Sequence, residues 1–416
     1  MKNKKILIFN LIVFIVLNFS FCVYGANTNI NLYSEAAIIM DTETEQILYQ
    51  KNIDKKMYPA STTKILTAII AIEKCNLEDI VTATNSAISQ VPSGYSSAYI
   101  SDGEEMTVKD LLTVFLVHSA NEAGYILAEH CSGSVEAFSI LMNEKAQEIG
   151  CKNSHFLNPS GIHNDNHYTT AYDLCLIANY CMKNNTFRNI VSMPKCTIDP
   201  TNKSLKRVYT NTNSLLNSNS QYYVENCIGI KTGYTKEAGN CLVSCFNKNN
   251  IEIICVVLGA GNIGNSDASR FIDSKNLFNY TYNNFDKKKI VNKNDVIQNI
   301  EISNATKETK NLNLIVENDI TALVNLNDDI PNPTISLNDN ISAPIEANTQ
   351  LGTVTYHING IEYKQNILAE TTVKKDFTFL KISLIFVVFV VIFVLTIFIN
   401  IKRKKKKRKL KYSSNY

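Results

Sequence analysis

Apolar positions crowd both ends of the chain and recur with changing period between them. Lys2, Lys4 and Lys5 precede an apolar run over 6–19 that closes near the small residues Gly25 and Ala26, the layout of a cleavable export signal covering 1–26. Cys22 follows Phe21 rather than a small residue, so it makes a poor lipidation site. Toward the other end, 382–399 is apolar apart from Ser383 and Thr396 and carries no charge. At 1.5 Å per residue this run spans about 27 Å, close to the hydrocarbon thickness of a bilayer, and it predicts a transmembrane helix over 379–401. The block Lys402-Arg403-Lys404-Lys405-Lys406-Lys407-Arg408-Lys409 follows directly. By the positive-inside bias it holds the tail 402–416 in the cytoplasm and leaves the rest of the mature chain outside.

Between the ends, apolar stretches at 36–40 and 46–49 flank the polar stretch 41–45, predicting two strands joined by a turn, although that turn lacks a glycine near Glu45. The segment 63–73 is apolar nearly all round (Ile65, Leu66, Ala68, Ile69, Ile70, Ala71, Ile72), as expected of a helix sunk in a core. Helical periodicity recurs over 108–117, 121–130, 135–149 and 170–182. It gives way to strand-like runs at 227–234, 239–247 and 251–260, an antiparallel meander, and a last amphipathic helix over 268–285. Helices inserted between early and late strands imply an α/β (α+β) domain over 31–285 with an antiparallel sheet and a helical subdomain. Over 286–375, short alternating runs are punctuated by Asn, Asp and Pro. Stretches such as 312–316 and 352–356 are too apolar for a solvated stalk, so this part reads as a small all-β domain.

Composition changes the picture in two ways. Setting aside three signal lysines and the nine Lys/Arg of 402–411 leaves 29 of the 41 basic residues against 38 acidic ones, so the exported part carries about −9. Nucleic acid is therefore no expected partner. Eleven cysteines in an exported chain could form disulfides, but Cys241 and Cys245 would stand roughly 13 Å apart on one strand, too far for a bridge. With no CxxC and an odd total, the spacings favour free thiols and no zinc or redox cofactor.

Three short motifs carry the chemistry: Ser61-Thr62-Thr63-Lys64, Ser119-Ala120-Asn121 and Lys231-Thr232-Gly233. Singly the first two are weak, since Ser192 to Lys195 repeats the Ser-x-x-Lys spacing and Ser-x-Asn recurs at 274–276, 336–338 and 413–415. Ser61, however, heads the buried helix, whereas Ser192 precedes Pro194 in a polar connector. Residues three apart share a helix face, so Lys64 can reach Ser61. A serine hydroxyl needs an adjacent base, and a lysine buried near a second cation is pushed toward its neutral, basic form. The helix dipole and the Ser61 N–H favour a developing oxyanion. Lys231 and Thr232 set a cation and a hydroxyl beside a cleft, suited to a terminal carboxylate. Gly233 allows close approach of a peptide backbone. Asn121 suits a peptide carbonyl, and Ser119 suits proton transfer between a lysine and the leaving amine.

In their wider settings, Tyr58-Pro59-Ala60-Ser61-Thr62-Thr63-Lys64, Ser119-Ala120-Asn121-Glu122-Ala123 and Gly229-Ile230-Lys231-Thr232-Gly233-Tyr234-Thr235 resemble the active-site boxes of low-molecular-mass penicillin-binding proteins, the serine D-Ala-D-Ala carboxypeptidases. Asn158-Pro159-Ser160-Gly161, the stretch 167–173, and Ile341-Ser342-Ala343-Pro344-Ile345 with Gly352-Thr353-Val354 extend the resemblance over about 33–375. It implies a penicillin-binding/β-lactamase-like transpeptidase fold and removal of D-Ala from peptidoglycan stem peptides ending in D-Ala-D-Ala through an acyl-enzyme on Ser61. It further implies the Tyr234 N–H as second oxyanion donor and β-lactams as covalent inhibitors. Members of that family usually end in a helix lying on the membrane surface, so the spanning helix here is a departure.

Rival readings are a non-catalytic penicillin-binding sensor or wall-binding protein, and a β-lactamase. A β-lactamase needs a Glu-activated water, and Ser154 stands where that Glu is expected, three positions before Leu157. His163 and His167, four apart with Asp165 between them, have a zinc-like spacing but fall in a turn-rich stretch that reads as a solvated loop.

Overall fold

The computed structural model describes residues 30–263 and 267–413; the export segment 1–26 lies outside them. Strands β1 (Ala36–Asp41) and β2 (Ile47–Lys51) form the expected opening hairpin. Its turn solves the missing-glycine problem with Glu45 itself, which adopts the left-handed region at φ 59°. The Asp41 carboxylate accepts from Thr44 N and Thr44 Oγ1 at 2.8 and 2.7 Å, offsetting the cost of that conformation.

Helix α1 (Lys64–Lys74) is preceded by a 3₁₀ turn, Ala60–Thr63, so Ser61 lies ahead of the α-helix rather than in its first turn. With three residues per turn, 61 and 64 eclipse one another, which brings the two side chains together more directly than α-helical spacing does. The first eight residues of α1 are all buried. Burying each Leu or Ile there contributes roughly 1.5–3 kcal/mol.

The chain continues through β3 (Ile80–Thr82), α2 (Asn85–Ser89), β4 (Glu105–Thr107), α3 (Val108–Val117), α4 (Asn121–Ser132), α5 (Val135–Ile149), α6 (Ala171–Met182) and α7 (Asn185–Val191). Side-chain caps fix several starts. Thr107 Oγ1 accepts from Asp110 N at 3.0 Å while donating to Asp110 Oδ2 at 2.8 Å, and Thr170 Oγ1 accepts from Asp173 N at 3.0 Å. After β5 (Lys195–Ile198) and β6 (Arg207–Thr210) come β7 (Cys227–Thr235), β8 (Gly239–Lys248), β9 (Ile251–Ala260) and α8 (Ser269–Asn284).

The main sheet is antiparallel with order β2-β1-β9-β8-β7, leaving β7 at an edge. Alternate residues of its central strands feed two cores. Ile38, Met40, Ile254 and Val256 join a large cluster with α1 and α3–α6. Ala37, Ile39, Ile253 and Cys255 join a second with Phe271, Leu277 and Phe278 of α8. Burial on both faces explains why these strands read as continuous apolar runs.

The described residues fall into two compact units. One runs to Lys287 and takes in Leu323–Asp328 and Asn359–Ile361; the other comprises Lys288–Ala322, Asp329–Ile358 and the residues from Glu362 on. The remaining strands are β10 (Phe285–Val291), β11 (Val296–Glu301), β12 (Asn311–Val316), β13 (Ile320–Asn325), β14 (Thr334–Leu337), β15 (Gln350–Ile358) and β16 (Ile361–Ala369). Five of them make a sheet in the order β11-β12-β16-β15-β14. Leu312, Leu314 and Val316 of β12 turn inward, fully buried, as a folded β module requires and a solvated stalk cannot supply. Helix α9 (Thr378–Ser413) is long and apolar enough over Thr378–Lys406 to cross a membrane, and none of its most apolar stretch is covered by protein.

The cysteine expectation needs correcting. Cys75, at the end of α1, is joined to Cys131, near the end of α4, with Cα atoms 6.2 Å apart. Comparison of near neighbours in sequence cannot find a pair 56 residues apart. Among the described residues eight cysteines are free, Cys241 and Cys245 included.

Candidate active site

Ser61, Ser119, Asn121, Thr232, Gly233 and Tyr234 line one cleft of about 500 Å³. Lys64 and Lys231 lie buried beneath its surface. The helical wall is the 3₁₀ turn and the start of α4; the facing wall is β7. The two approach so closely that a Cβ at Gly233 would stand 3.0 Å from Ser61 N and from Pro59 O. Any side chain there would push the walls apart.

Lys64 Nζ is 2.9 Å from Ser61 Oγ, 2.7 Å from Asn121 Oδ1 and 2.9 Å from the Ser160 carbonyl. A neutral amine has two N–H donors and one lone pair. Asn121 Oδ1 and the Ser160 carbonyl accept the two N–H groups, so the lone pair is left for the Ser61 hydroxyl. Burial, and then the nearby charge of Lys231, hold the Lys64 pKa well below its usual value, with Glu122 opposing. The same three contacts would also satisfy an ammonium, so it is burial and the Lys231 charge that favour the neutral form, in which the lone pair faces Ser61 Oγ.

The surroundings fix that pattern. Asn121 Nδ2 and Asn121 N both donate to the Ser96 carbonyl, at 2.8 and 3.0 Å, which turns Oδ1 toward Lys64. Ser160 Oγ donates to the Asn121 carbonyl at 3.0 Å. Ser119 is buried against the cleft with φ 68°, a left-handed conformation that costs a non-glycine residue roughly 1–3 kcal/mol and that packed surroundings must sustain. Gly161 has φ 78°, and a Cβ there would lie 1.8 Å from the Ala60 carbonyl, so only glycine fits beneath the 3₁₀ turn.

On the opposite wall, Lys231 Nζ donates to Thr212 Oγ1 at 3.3 Å and to the Thr232 carbonyl at 3.2 Å. Burial and the charge of Arg270 bring its pKa down to about 7. Thr232 Oγ1 and Thr212 Oγ1 are 2.6 Å apart. Arg270 lines the same end of the cleft, donating from Nη1 to the Gly233 carbonyl at 3.0 Å and pairing with Asp267. This end is rich in donors and cations, suited to an anionic group; the helical wall is suited to proton abstraction.

Several contributors fall outside the motif reading. The Ser160 carbonyl, Thr212 and Arg270 carry no local signal, because only tertiary packing brings them to the cleft. Glu122 had a signal in its place beside Asn121. Its buried Oε1 accepts from Ser97 Oγ and Ala98 N, both at 2.7 Å, holding the segment that presents Ser96. His167 is buried and not part of a solvated loop: its Nδ1 accepts from Leu157 N at 3.1 Å, so Nε2 carries the hydrogen and donates to Thr63 Oγ1 at 2.9 Å. Burial lowers its pKa to about 3 and keeps it neutral. Among the described residues no group of three or more His, Cys, Asp or Glu is placed to hold a metal.

A family model described as D-alanyl-D-alanine carboxypeptidase matches residues 24–262, and one described as penicillin-binding protein 5, C-terminal domain, matches residues 285–375. The D-alanyl-D-alanine carboxypeptidase DacF of Bacillus subtilis is 30% identical over 349 residues, 82% of this chain and 84% of that one. DacC of Escherichia coli is 26% identical over 80% of this chain and 82% of its own length. Among solved structures, penicillin binding protein 5 of Haemophilus influenzae superimposes with a TM-score of 0.63 at 26% identity, covering 84% of this chain and 99% of the other. The carboxypeptidase DacD of Francisella tularensis gives a TM-score of 0.63 at 25% identity, over 84% and 95%.

Proposed function

The chain belongs to the D-alanyl-D-alanine carboxypeptidase family, and from that premise we propose that Ser61 is the nucleophile and Lys64 the base of its reaction. It is a serine-type peptidase of the cell wall that removes the terminal D-Ala from D-Ala-D-Ala stem peptides and binds penicillin. Removing the terminal D-Ala limits cross-linking. The observation carrying the residue assignment is that buried Lys64 Nζ lies 2.9 Å from Ser61 Oγ, held there by Asn121 Oδ1 and the Ser160 carbonyl, so that when neutral it turns its lone pair to the Ser61 hydroxyl.

Neutral Lys64 takes the Ser61 proton as Oγ attacks the carbonyl of the penultimate D-Ala. The oxyanion forms against the Ser61 and Tyr234 N–H groups, which needs no rearrangement of fixed backbone dipoles. Asn121 holds the peptide, and Ser119 passes a proton to the departing amine. D-Ala leaves, and water then releases the shortened peptide from Ser61. Thr232 and Arg270 hold the terminal carboxylate, with the charge of buried Lys231 behind them, while Gly233 lets the substrate lie along the β7 edge. A β-lactam acylates Ser61 in the same way, but its amine stays tethered, so the adduct persists.

The division into a catalytic domain over 31–285 and a β-rich domain over 286–375, like the topology, is part of this reading. Residues 379–401 span the membrane, 402–416 lie in the cytoplasm, and the catalytic domain lies outside; support comes from the uncovered apolar helix and the basic block after it.

The test uses the full chain in detergent. Wild type releases D-Ala from a peptide ending in D-Ala-D-Ala and retains labelled penicillin, and Ser61→Ala loses both. Retention of penicillin without D-Ala release would replace the peptidase with a sensor; rapid penicillin turnover would make it a β-lactamase.

A further inference from the structure

Thr212 belongs to none of the three motifs, yet it stands in the donor-rich end of the cleft on a rigid segment. Its own N–H donates to the Val117 carbonyl at 3.2 Å. On either side, Asn211 Nδ2 donates to the Met193 carbonyl at 2.9 Å and Asn213 Oδ1 accepts from Leu215 N at 3.1 Å. Its hydroxyl is fixed between Lys231 Nζ and Thr232 Oγ1, at 3.3 and 2.6 Å.

The chemistry of the three groups sets the direction of the chain. A protonated lysine only donates, so Thr212 Oγ1 accepts from it and has its own hydrogen to give. Between them the two hydroxyls have two hydrogens and one mutual bond, which leaves one O–H unspent at the cleft, where both residues stand. Lys231 is itself too deeply buried to reach an incoming group directly. A carboxylate seated beside Arg270 and Gly233 draws the free hydrogen to Thr232, with Thr212 donating behind it. Bonds aligned head to tail in this way reinforce each other.

We propose that Thr212 is a positioning residue of the carboxylate subsite, a hydroxyl that carries the polarity of buried Lys231 to Thr232 so that the Thr232 O–H donates to the terminal carboxylate. This rests on the peptidase reading above and deepens it, since it assigns specificity for a free C-terminal carboxylate to a side chain outside the motifs.

The experiment compares wild type, Thr212→Val and Thr212→Ser as full chains in detergent, with a D-Ala-D-Ala peptide as the free acid and as its C-terminal amide. On the acid, Thr212→Val raises KM about 10-fold with kcat within about threefold, the size of one hydrogen bond to a charged group. Thr212→Ser, which keeps the hydroxyl, restores KM. On the amide, wild type and Thr212→Val behave alike. An unchanged KM on the acid overturns the inference, and so does an equal loss on acid and amide, which marks a packing role. A wild type that releases no D-Ala overturns the peptidase reading and this inference with it.

Discussion

The two walls of the cleft each bury one lysine completely, and the proposed assignment gives the two lysines opposite work. On the helical wall, Lys64 faces two fixed carbonyl-type acceptors and one hydroxyl, all within 2.9 Å. On the strand wall, Lys231 has longer contacts, 3.2 and 3.3 Å, beside Arg270 and two hydroxyls that lead to the cleft. Burial lowers both pKa values, so burial alone does not separate a base from an anion-binding cation. The neighbours do. Acceptors that consume the N–H groups leave a lone pair for a proton, whereas hydroxyls and a second cation pass positive character outward.

The comparison breaks first, and by the largest effect, at Lys64. Lys64→Met keeps a similar apolar stem without a lone pair, so kcat for D-Ala release should fall by about 10³-fold or more, with penicillin acylation slowed in parallel. Single-turnover kinetics on both reagents measure this. A mutant that loses only affinity would place Lys64 with Lys231 as a binding cation.

The pH dependence sharpens the contrast next. As the proposed base, Lys64 must be neutral to act, so kcat should fall as pH drops through its lowered native pKa, on the acid side. As the proposed cation of the carboxylate subsite, Lys231 must be charged, so KM for a carboxylate-terminated peptide should rise as pH climbs through about 7, on the alkaline side. Loss of the charge should cost about 10-fold in KM, and Lys231→Met should remove the alkaline limb while keeping the acid one. Steady-state kinetics across the neutral range resolve both. If KM stayed flat through neutrality while kcat fell there, the two lysines would have exchanged roles.

How far this contrast was legible in the sequence differs between the walls. Ser61 and Lys64 stand out because Ser61 heads a helix apolar nearly all round and the motifs at Ser119 and Lys231 follow in order, whereas Ser192 repeats the spacing in a polar connector. The antiparallel meander and the helix Val135–Ile149 follow directly from periodicity. Thr212 and Arg270 do not, because they reach the cleft from a connector and from the far helix, 19 residues before and 39 after Lys231. Nor does the Ser160 carbonyl, since a backbone group has no side-chain signature. His167 was misplaced because a turn-rich stretch reads as surface, whereas here it packs beneath the 3₁₀ turn with Gly161. The hairpin Lys195–Ile198 and Arg207–Thr210 escaped because its strands bury only Cys196 and Ile198, too few for a period.

The smallest expected effect belongs to Glu122, next to Asn121 on the helical wall. Its carboxylate holds Ser97 and Ala98 by hydrogen bonds and places a negative charge near Lys64, which raises the Lys64 pKa. Glu122→Gln keeps a carbonyl oxygen for those donors and removes only the charge. Without that charge the protonated lysine is less favoured, so the acid limb of kcat should move to lower pH, by under about one unit, with kcat at neutrality changed less than about threefold. Glu122→Ala removes the acceptor as well. The segment that presents the Ser96 carbonyl then loosens, Asn121 loses its fixed orientation, and kcat falls further along with about 1 kcal/mol or more of stability. The pH profiles of the two variants separate charge from scaffold. A Glu122→Gln enzyme that moved the alkaline limb of KM instead would mean that this carboxylate tunes Lys231, and the division of labour between the two walls would have to be redrawn.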